Sequence, residues 1–273
     1  MRIVIFTTRN HIYANKIIKK IFLIPNMQIV GVVESDVLYP GKNKLQAITH
    51  YLDKAGADYV FSQIIKAIIF QLGKKFHSIF SKKNAQNIFN SYERIAKIKD
   101  IPITIESNIN RDGLINLFKE KNIDLFISVF FNQVFRKEIL SIPRHGVINI
   151  HPALLPQYRG VSPTFWVLAN SEEKTGVTIH MVNEKLDGGK ILAQKKIKIR
   201  KEDTETSIYW KCVNEGILLL NNLMKTIGKK HVAGVQSSST VSSYFSLPTK
   251  EAVKRFRKNG RRFFKIRELF YEK

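Results

Sequence analysis

An amide, an imidazole and a carboxylate stand at the corners of one stretch of this chain. Asn149 and His151 lie two residues apart on an apolar run (Val147, Ile148, Ile150), and Asp187 follows thirty-six residues after His151, just ahead of Gly188 and Gly189. Residues two apart on a strand point the same way, so Asn149 and His151 face one space. A second strand pattern over 176–182, and the loop that begins near Asn183, would carry Asp187 to the imidazole. A carboxylate hydrogen-bonded to a histidine raises its basicity and favours the imidazolium. An amide NH2 beside it can donate to an oxygen that gains charge. Together the three supply a general base and an oxyanion donor, which is the equipment for acyl transfer to an amine. No nucleophile stands in the stretch, and this points to direct transfer between two bound substrates. Taken singly, each residue also has a plain structural reading as a strand-end polar group or a turn aspartate.

Between these corners the chain makes a turn rich in proline and glycine and then a helix. Ser162 is expected as its N-cap, with Pro163 at the first helical position. Gly160 is expected to permit an unusual backbone angle. Arg159 either touches an anionic substrate or pairs with a neighbouring carboxylate.

The ordered set Asn149-x-His151, Leu154-Leu155-Pro156, Arg159-Gly160, Ser162-Pro163, Trp166, Thr175-Gly176-Val177-Thr178 and Leu186-Asp187-x-Gly189 resembles the folate-dependent formyltransferase family. That family includes methionyl-tRNA formyltransferase, glycinamide ribonucleotide formyltransferase and the N-formyltransferases of nucleotide-linked amino sugars. The resemblance is strong over about residues 124–200, and the earlier part fits only by pattern. It implies an α/β fold, a Rossmann-like, mostly parallel twisted sheet with helices on both faces. It implies transfer of a formyl group from N10-formyltetrahydrofolate to a primary amine, without a metal, and it puts Asn149, His151 and Asp187 at the family's catalytic Asn, His and Asp. It also implies a folate pocket just after the strand at 125–129. There Phe130, Phe131 and Val134 would flank the flat pterin and backbone groups near Asn132 and Gln133 would read its edge. The turn at 183–187, with Leu186, would form the opposite wall. Without the resemblance, this F-F-N-Q-V stretch reads as a strand end running into a core helix.

Stepping outward, residues 2–7 form a short apolar strand, Ala14, Ile17, Ile18 and Ile21 follow at helical spacing, and 29–33 is a second strand. This βαβ beginning turns through T-T-R-N-H and lacks G-x-G-x-x-G, which argues against an NAD-dependent dehydrogenase. The turn at 7–10, Asn10 included, is either a plain helix start or a set of N–H groups offered to an anionic part of the substrate. Residues 36–99 depart furthest from the family pattern. Their apolar run at 60–72, interrupted by Lys66 and Gln71, is too short to span a membrane. It either packs on the sheet or lies as an amphipathic helix on a membrane or a partner. A strand at 101–105, a helix at 111–121, an edge-type strand at 195–199 and a long helix capped by Thr204 and running to about Ile227 complete the pattern.

At 273 residues, 44% of them hydrophobic, the chain can bury a full core. The expected organisation is a catalytic domain over 1–230, with an insertion at about 45–95, and a short basic extension over 231–273. One cysteine, Cys212, excludes an intramolecular disulfide, and its apolar helical neighbours mark it as a buried structural thiol. Seven scattered histidines give no metal-ligand spacing. The first residues read as a strand rather than a signal peptide, so a cytoplasmic location is expected. A net charge of +23 favours anionic partners, although lysines accompanying Ile and Asn also fit a general composition bias. Residues 250–273 carry ten basic and three acidic side chains, net +7, read either as a solvated helix or as a contact with nucleic acid or a membrane surface.

The acceptor is narrowed by departure from the family. After the long helix the remaining residues lack the repeated short strands of the barrel that helps the tRNA enzyme hold its substrate. T-T-R-N-H is a poor match to the Gly- and Ser-rich phosphate turn of the glycinamide ribonucleotide enzyme. A nucleotide-linked 4-amino or 3-amino deoxysugar is left as the expected acceptor. Methionyl-tRNA formylation, a non-catalytic docking module and a homodimer stay open.

Overall fold

Alternation along the first strand shows how the chain layers itself. In β1 (Arg2–Thr8), Ile3 and Ile5 enter one apolar cluster while Val4 and Phe6 enter another on the opposite face. The computed structural model describes residues 1–39, 41–80, 91–227 and 241–270, the backbone alone at 77–80.

The other strands are β2 (Gln28–Ser35), β3 (Ile103–Ile105), β4 (Leu125–Val129), β5 (Val147–His151), β6 (Arg159–Gly160), β7 (Lys174–Met181), β8 (Ile191–Lys198) and β9 (Tyr244–Phe245). Seven of them form one sheet in the order β3-β2-β1-β4-β5-β7-β8, and β6 pairs separately with β9. The first five are parallel, and β7 runs antiparallel to both β5 and β8. The order reverses between β1 and β4, the kind of switch point beside which open α/β sheets bind ligands. The strand expected at 101–105 starts only at Ile103. Pro102 has no N–H to give, and its carbonyl accepts from Val32 N–H at 2.9 Å instead. The strand expected at 195–199 begins earlier and does lie at the sheet edge.

Helices cover both faces. Here α1 (Ile12–Ile21), α2 (Lys44–Phe80), α3 (Tyr92–Ile98), α6 (Pro163–Ala169), α7 (Glu205–Met224) and α8 (Lys250–Lys258) pack the larger cluster. The opposite face is covered by α4 (Asp112–Glu120) and α5 (Lys137–Leu140), with Leu114, Ile115, Phe118 and Ile139 buried. The long helix α7 begins as expected at Thr204, whose hydroxyl accepts from Ser207 N–H at 3.0 Å in a capping box. Cys212 lies buried on α7 with its Sγ against the Gly176 carbonyl, and burial pushes the thiol pKa far up.

The apolar segment at 60–72 belongs to α2, which breaks at Gly56 (φ 80°, ψ 170°) and then packs inward through Tyr59, Ser62, Lys66 and Phe70. Packing on the protein is therefore the outcome for that face. Lys66 is buried and its Nζ meets Glu205 at 2.9 Å, tying α2 to the first turn of α7. Residues 241–270 join the same core: Val253, Phe256, Phe263 and Leu269 are buried, and Arg257 holds Asp58 of α2 through two bonds of 2.7 and 2.6 Å. The expected boundary at 230/231 lies outside the described residues. Among the described residues no helix is long and apolar enough to cross a membrane.

Breaking the Lys66–Glu205 pair leaves a lone charge in a dry place. Lys66→Met alone should cost about 3–5 kcal/mol of unfolding free energy in urea, and Lys66→Met with Glu205→Leu should recover most of that loss. Equal losses in the single and double variants would show that the pair carries no such penalty.

Candidate active site

Strand register assembles the site. In the antiparallel pairing of β5 and β7, Asn149 stands opposite His180 and His151 opposite Thr178, so all four project from one face. The Thr178 hydroxyl donates to the Ala153 carbonyl at 2.6 Å and accepts from Leu155 N–H at 3.1 Å. Gln194 of β8 donates to the Leu155 carbonyl at 2.9 Å. These bonds hold the turn that follows His151.

Backbone carbonyls decide where the protons sit. His151 Nε2 lies 2.8 Å from the Tyr158 carbonyl, which can only accept, so Nε2 carries a hydrogen and Nδ1 of the neutral ring is the free base. In the same way His180 Nδ1 donates to the Met181 carbonyl at 2.9 Å, leaving Nε2 as an acceptor. The Asn149 amide nitrogen donates to that Nε2 at 3.1 Å. One amide hydrogen is thereby committed, the NH2 end is fixed, and the second hydrogen is available to a ligand. His180 is almost fully buried, and that burial lowers its pKa to about 4 against the opposing pull of Asp187. It stays neutral where the acceptor role is needed.

Asp187 sits between the two rings. Its Oδ2 lies 3.7 Å from His151 Nδ1 and its Oδ1 lies 3.6 Å from His180 Nε2. The first separation exceeds a hydrogen bond, so the shared bond expected from the sequence is replaced by a charge facing the free nitrogen. The nearer bond of Asp187 Oδ2 is to Gly160 N–H at 2.8 Å. Gly160 has φ 98°, and a Cβ there would lie 2.2 Å from the Phe245 carbonyl, so no other residue fits beneath β9. Left-handed backbone recurs around the site in Phe130, Tyr158, Ser162 and Asp187, with φ between 48° and 56°. Such angles are costly for these residue types and gather where a loop must aim a group.

Tyr158, which sequence reasoning passed over, is pinned from three sides. Its N–H donates to the Ser243 hydroxyl at 2.9 Å, its ring stacks on Phe245 at 5.0 Å, and its hydroxyl donates to Glu172. Burial, with the Glu172 bond second, raises the phenol to about 12. His180 was also missed. Its signal was present in Thr178-x-His180, the same two-residue step as Asn149-x-His151, once the two strands are placed side by side.

Several expected contacts resolve differently. Ser162 takes the N-cap position of α6 and Pro163 opens it, as expected, but the Ser162 backbone is left-handed and its hydroxyl, instead of capping, meets Tyr59 Oη at 3.0 Å. Arg159 pairs with no carboxylate among the described residues. Its Nε donates to the Leu186 carbonyl at 3.0 Å and its Nη1 to the Ser242 hydroxyl at 3.3 Å, clasping the two site loops together. At the start of α1 the cap is His11, whose Nδ1 accepts from Ala14 N–H at 3.2 Å; Asn10 sits before it and takes a 3.4 Å contact from Lys74. Burial, with Lys66 close by, lowers His11 to about 3, and the ring stacks on Phe130 at 4.8 Å.

In the stretch after β4, Phe131 turns into the core against Phe6, and the Gln133 side chain bonds Ser35, the Glu106 carbonyl and Ile109 N–H. Val134 and Leu186 are exposed on separate loops. Asn132 donates to the Val37 carbonyl, and its buried Oδ1 has no protein donor.

These features can be set beside known proteins. At 36% identity over 172 residues, the chain is similar to the bifunctional polymyxin resistance protein ArnA of Wigglesworthia glossinidia brevipalpis. The match covers 63% of this chain but only 25% of that relative, so the chain spans about a quarter of its length. An N-formyltransferase from Helicobacter canadensis, solved with folinic acid and dTDP-3-aminofucose, shares the fold with a TM-score of 0.52 at 18% identity, over 90% of this chain and 70% of that one. Phosphoribosylglycinamide formyltransferase from Anaplasma phagocytophilum does so with a TM-score of 0.57 at 17% identity, over 90% and 98%. The formyl transferase family pattern matches residues 1–222, well beyond the 124–200 stretch that carried the resemblance, and the chain belongs to that family.

Proposed function

We propose that the protein transfers the formyl group of N10-formyltetrahydrofolate to the amino group of a nucleotide-linked amino deoxysugar. The observation that carries the reading is the free Nδ1 of His151, turned toward Asp187 beside a fixed Asn149 amide. Folate supplies the formyl carbon when bound. The residues after β4 fit such a ligand, because the buried Asn132 Oδ1 lacks a donor that a pterin edge would provide, and Phe130, Val134 and Leu186 offer apolar surface.

His151 Nδ1 takes the proton that the attacking amine must lose. The proton turns the ring into an imidazolium facing the Asp187 carboxylate, whose place is kept by Gly160 N–H. The second N–H of Asn149 donates to the formyl oxygen as it gains charge. His180 acts through Asn149, as a positioning residue. The proton on His151 is then available to the departing nitrogen of the folate.

The precedent for a sugar acceptor on this fold is the enzyme solved with dTDP-3-aminofucose. On this chain the β1–α1 turn carries a neutral His11 stacked on Phe130 in place of the Gly- and Ser-rich turn of the glycinamide ribonucleotide enzyme. The purine enzyme shares the fold equally well, so the fold itself does not separate the two acceptors.

The test is an incubation with N10-formyltetrahydrofolate and a panel of nucleotide-linked amino sugars, glycinamide ribonucleotide and methionyl-tRNA, reading tetrahydrofolate release. Release with an amino sugar alone supports the reading; release only with one of the other two overturns the acceptor, and no folate binding overturns the whole. His151→Ala and Asn149→Ala should each lower kcat by about a hundred- to a thousand-fold with the fold intact. Robust turnover by His151→Ala would remove it as the base.

The two lowered histidines set a pH dependence with a definite sign. The unfolded chain binds protons at His11 and His180 below about 6.5, and the folded chain does so only near about 3 and 4, so stability falls as pH drops through that window. Urea midpoints should decline from pH 7 to pH 4.5, and the His180 ring proton resonance should stay flat from pH 8 to about 5. A His180 titration centred near 6.5 would contradict the buried acceptor role.

A further inference from the structure

Helix α2 is apolar on two opposite faces. Tyr59, Ser62, Lys66 and Phe70 point into the protein, as described. Phe61, Ile64, Ile65, Ile68 and Leu72 fall on the other side at helical spacing and are exposed, between 38 and 61% each. A surface stripe of this length is more than scattered exposure, and it calls for an occupant.

The rim of the stripe says which. A cleft of about 240 Å³ opens between α2 and the C-terminal segment, lined by Asp58, Phe61, Ile65, Arg257, Arg262 and Phe264 among others. Asp58 is the one carboxylate in that lining, and Arg257 neutralises it through both oxygens. Arg262 is exposed, and no carboxylate among the described residues pairs with it. Arg267 is likewise exposed on the 3-10 turn Ile266–Leu269, which packs against α2. Apolar side chains in the middle with unpaired guanidinium groups at the edge match the layers of a bilayer surface, acyl boundary and anionic headgroup.

We propose that this face of α2, with Arg262 and Arg267, docks the protein on an anionic phospholipid surface. The helix lies along the surface, since the Lys66–Glu205 pair and the buried Tyr59 and Phe70 hold its other side to the core and none of the described helices is long and apolar enough to cross a bilayer. A second copy of this chain is the poorer occupant. Each copy carries a net charge of +23, and face-to-face pairing would bring the two arginine rims together, whereas anionic lipid neutralises them. The inference does not depend on which amine accepts the formyl group.

Cosedimentation tests it with vesicles of phosphatidylglycerol and phosphatidylcholine, against vesicles of phosphatidylcholine alone. The full chain should pellet with the anionic vesicles and far less with the neutral ones, and added salt should release it. Arg262→Gln with Arg267→Gln should weaken binding by about fivefold for each charge removed. Ile68→Gln with Leu72→Gln should weaken it by about tenfold or more at unchanged charge. Formyl transfer in solution should be unaltered in both double variants, which verifies their folding. Binding by the Ile68/Leu72 variant at full strength would assign adsorption to net charge alone and overturn the proposal. Absence of binding to anionic vesicles would overturn it too, as would a dimer in sedimentation velocity that the Ile68/Leu72 variant dissolves.

Discussion

The hydrogen bond from His151 Nε2 to the Tyr158 carbonyl is the constraint on which the site depends. It fixes the tautomer, and with it the nitrogen that can accept a proton and the direction in which that nitrogen looks. Everything around it keeps that carbonyl still: the left-handed turn at Tyr158, the Ser243 hydroxyl on its N–H, the stacking of its ring on Phe245 and the Glu172 carboxylate on its phenol. The Met181 carbonyl does the same for His180, and His180 in turn decides which end of the Asn149 amide faces the ligand. Two backbone oxygens thus set the polarity of the whole side-chain cluster.

Much of this was legible in the sequence, for physical reasons that differ by element. Strands β1 and β4 were readable because burial on both faces forces continuous apolar runs on them, and helix α7 because burial forces a period of 3.6 and Thr204 carries a side chain that caps. Asn149, His151 and Asp187 were readable because their types and order are unusual. Tyr158 was not, since a carbonyl has no side-chain signature. Ser162 was placed correctly at the N-cap, but its missing cap bond was not legible, because a serine before Pro163 looks the same whether or not its backbone is extended. The partners of Arg159 come from Leu186 and Ser242, 27 and 83 residues away, beyond the reach of any local pattern.

Helix α2 was hardest to place from sequence because apolar residues on both sides blur the periodicity that would separate packing from surface contact. Its inner face settled the packing. Lys66 is instructive here, since a lysine in an apolar run reads as an interruption, yet its buried pairing with Glu205 is what pins the helix to α7. The described part of α2 is therefore built into the core through specific partners.

The pairing of β6 with β9 has a consequence for the order in which the site comes into being. Arg159 N–H, Val161 N–H and Tyr158 N–H all bond to Ser243 or Phe245, and Gly160, between them, holds Asp187. During synthesis Asn149, His151 and Asp187 emerge first, but the strand that fixes their surroundings emerges some sixty residues after Asp187. A nascent chain with the seven-stranded sheet already paired still lacks β9, and with it the bonds that fix the Tyr158 carbonyl and seat Asp187. The hydrogen-bond geometry of the site is a late product of translation, so a ribosome stalled before Phe245 would display a folded sheet with that site unassembled.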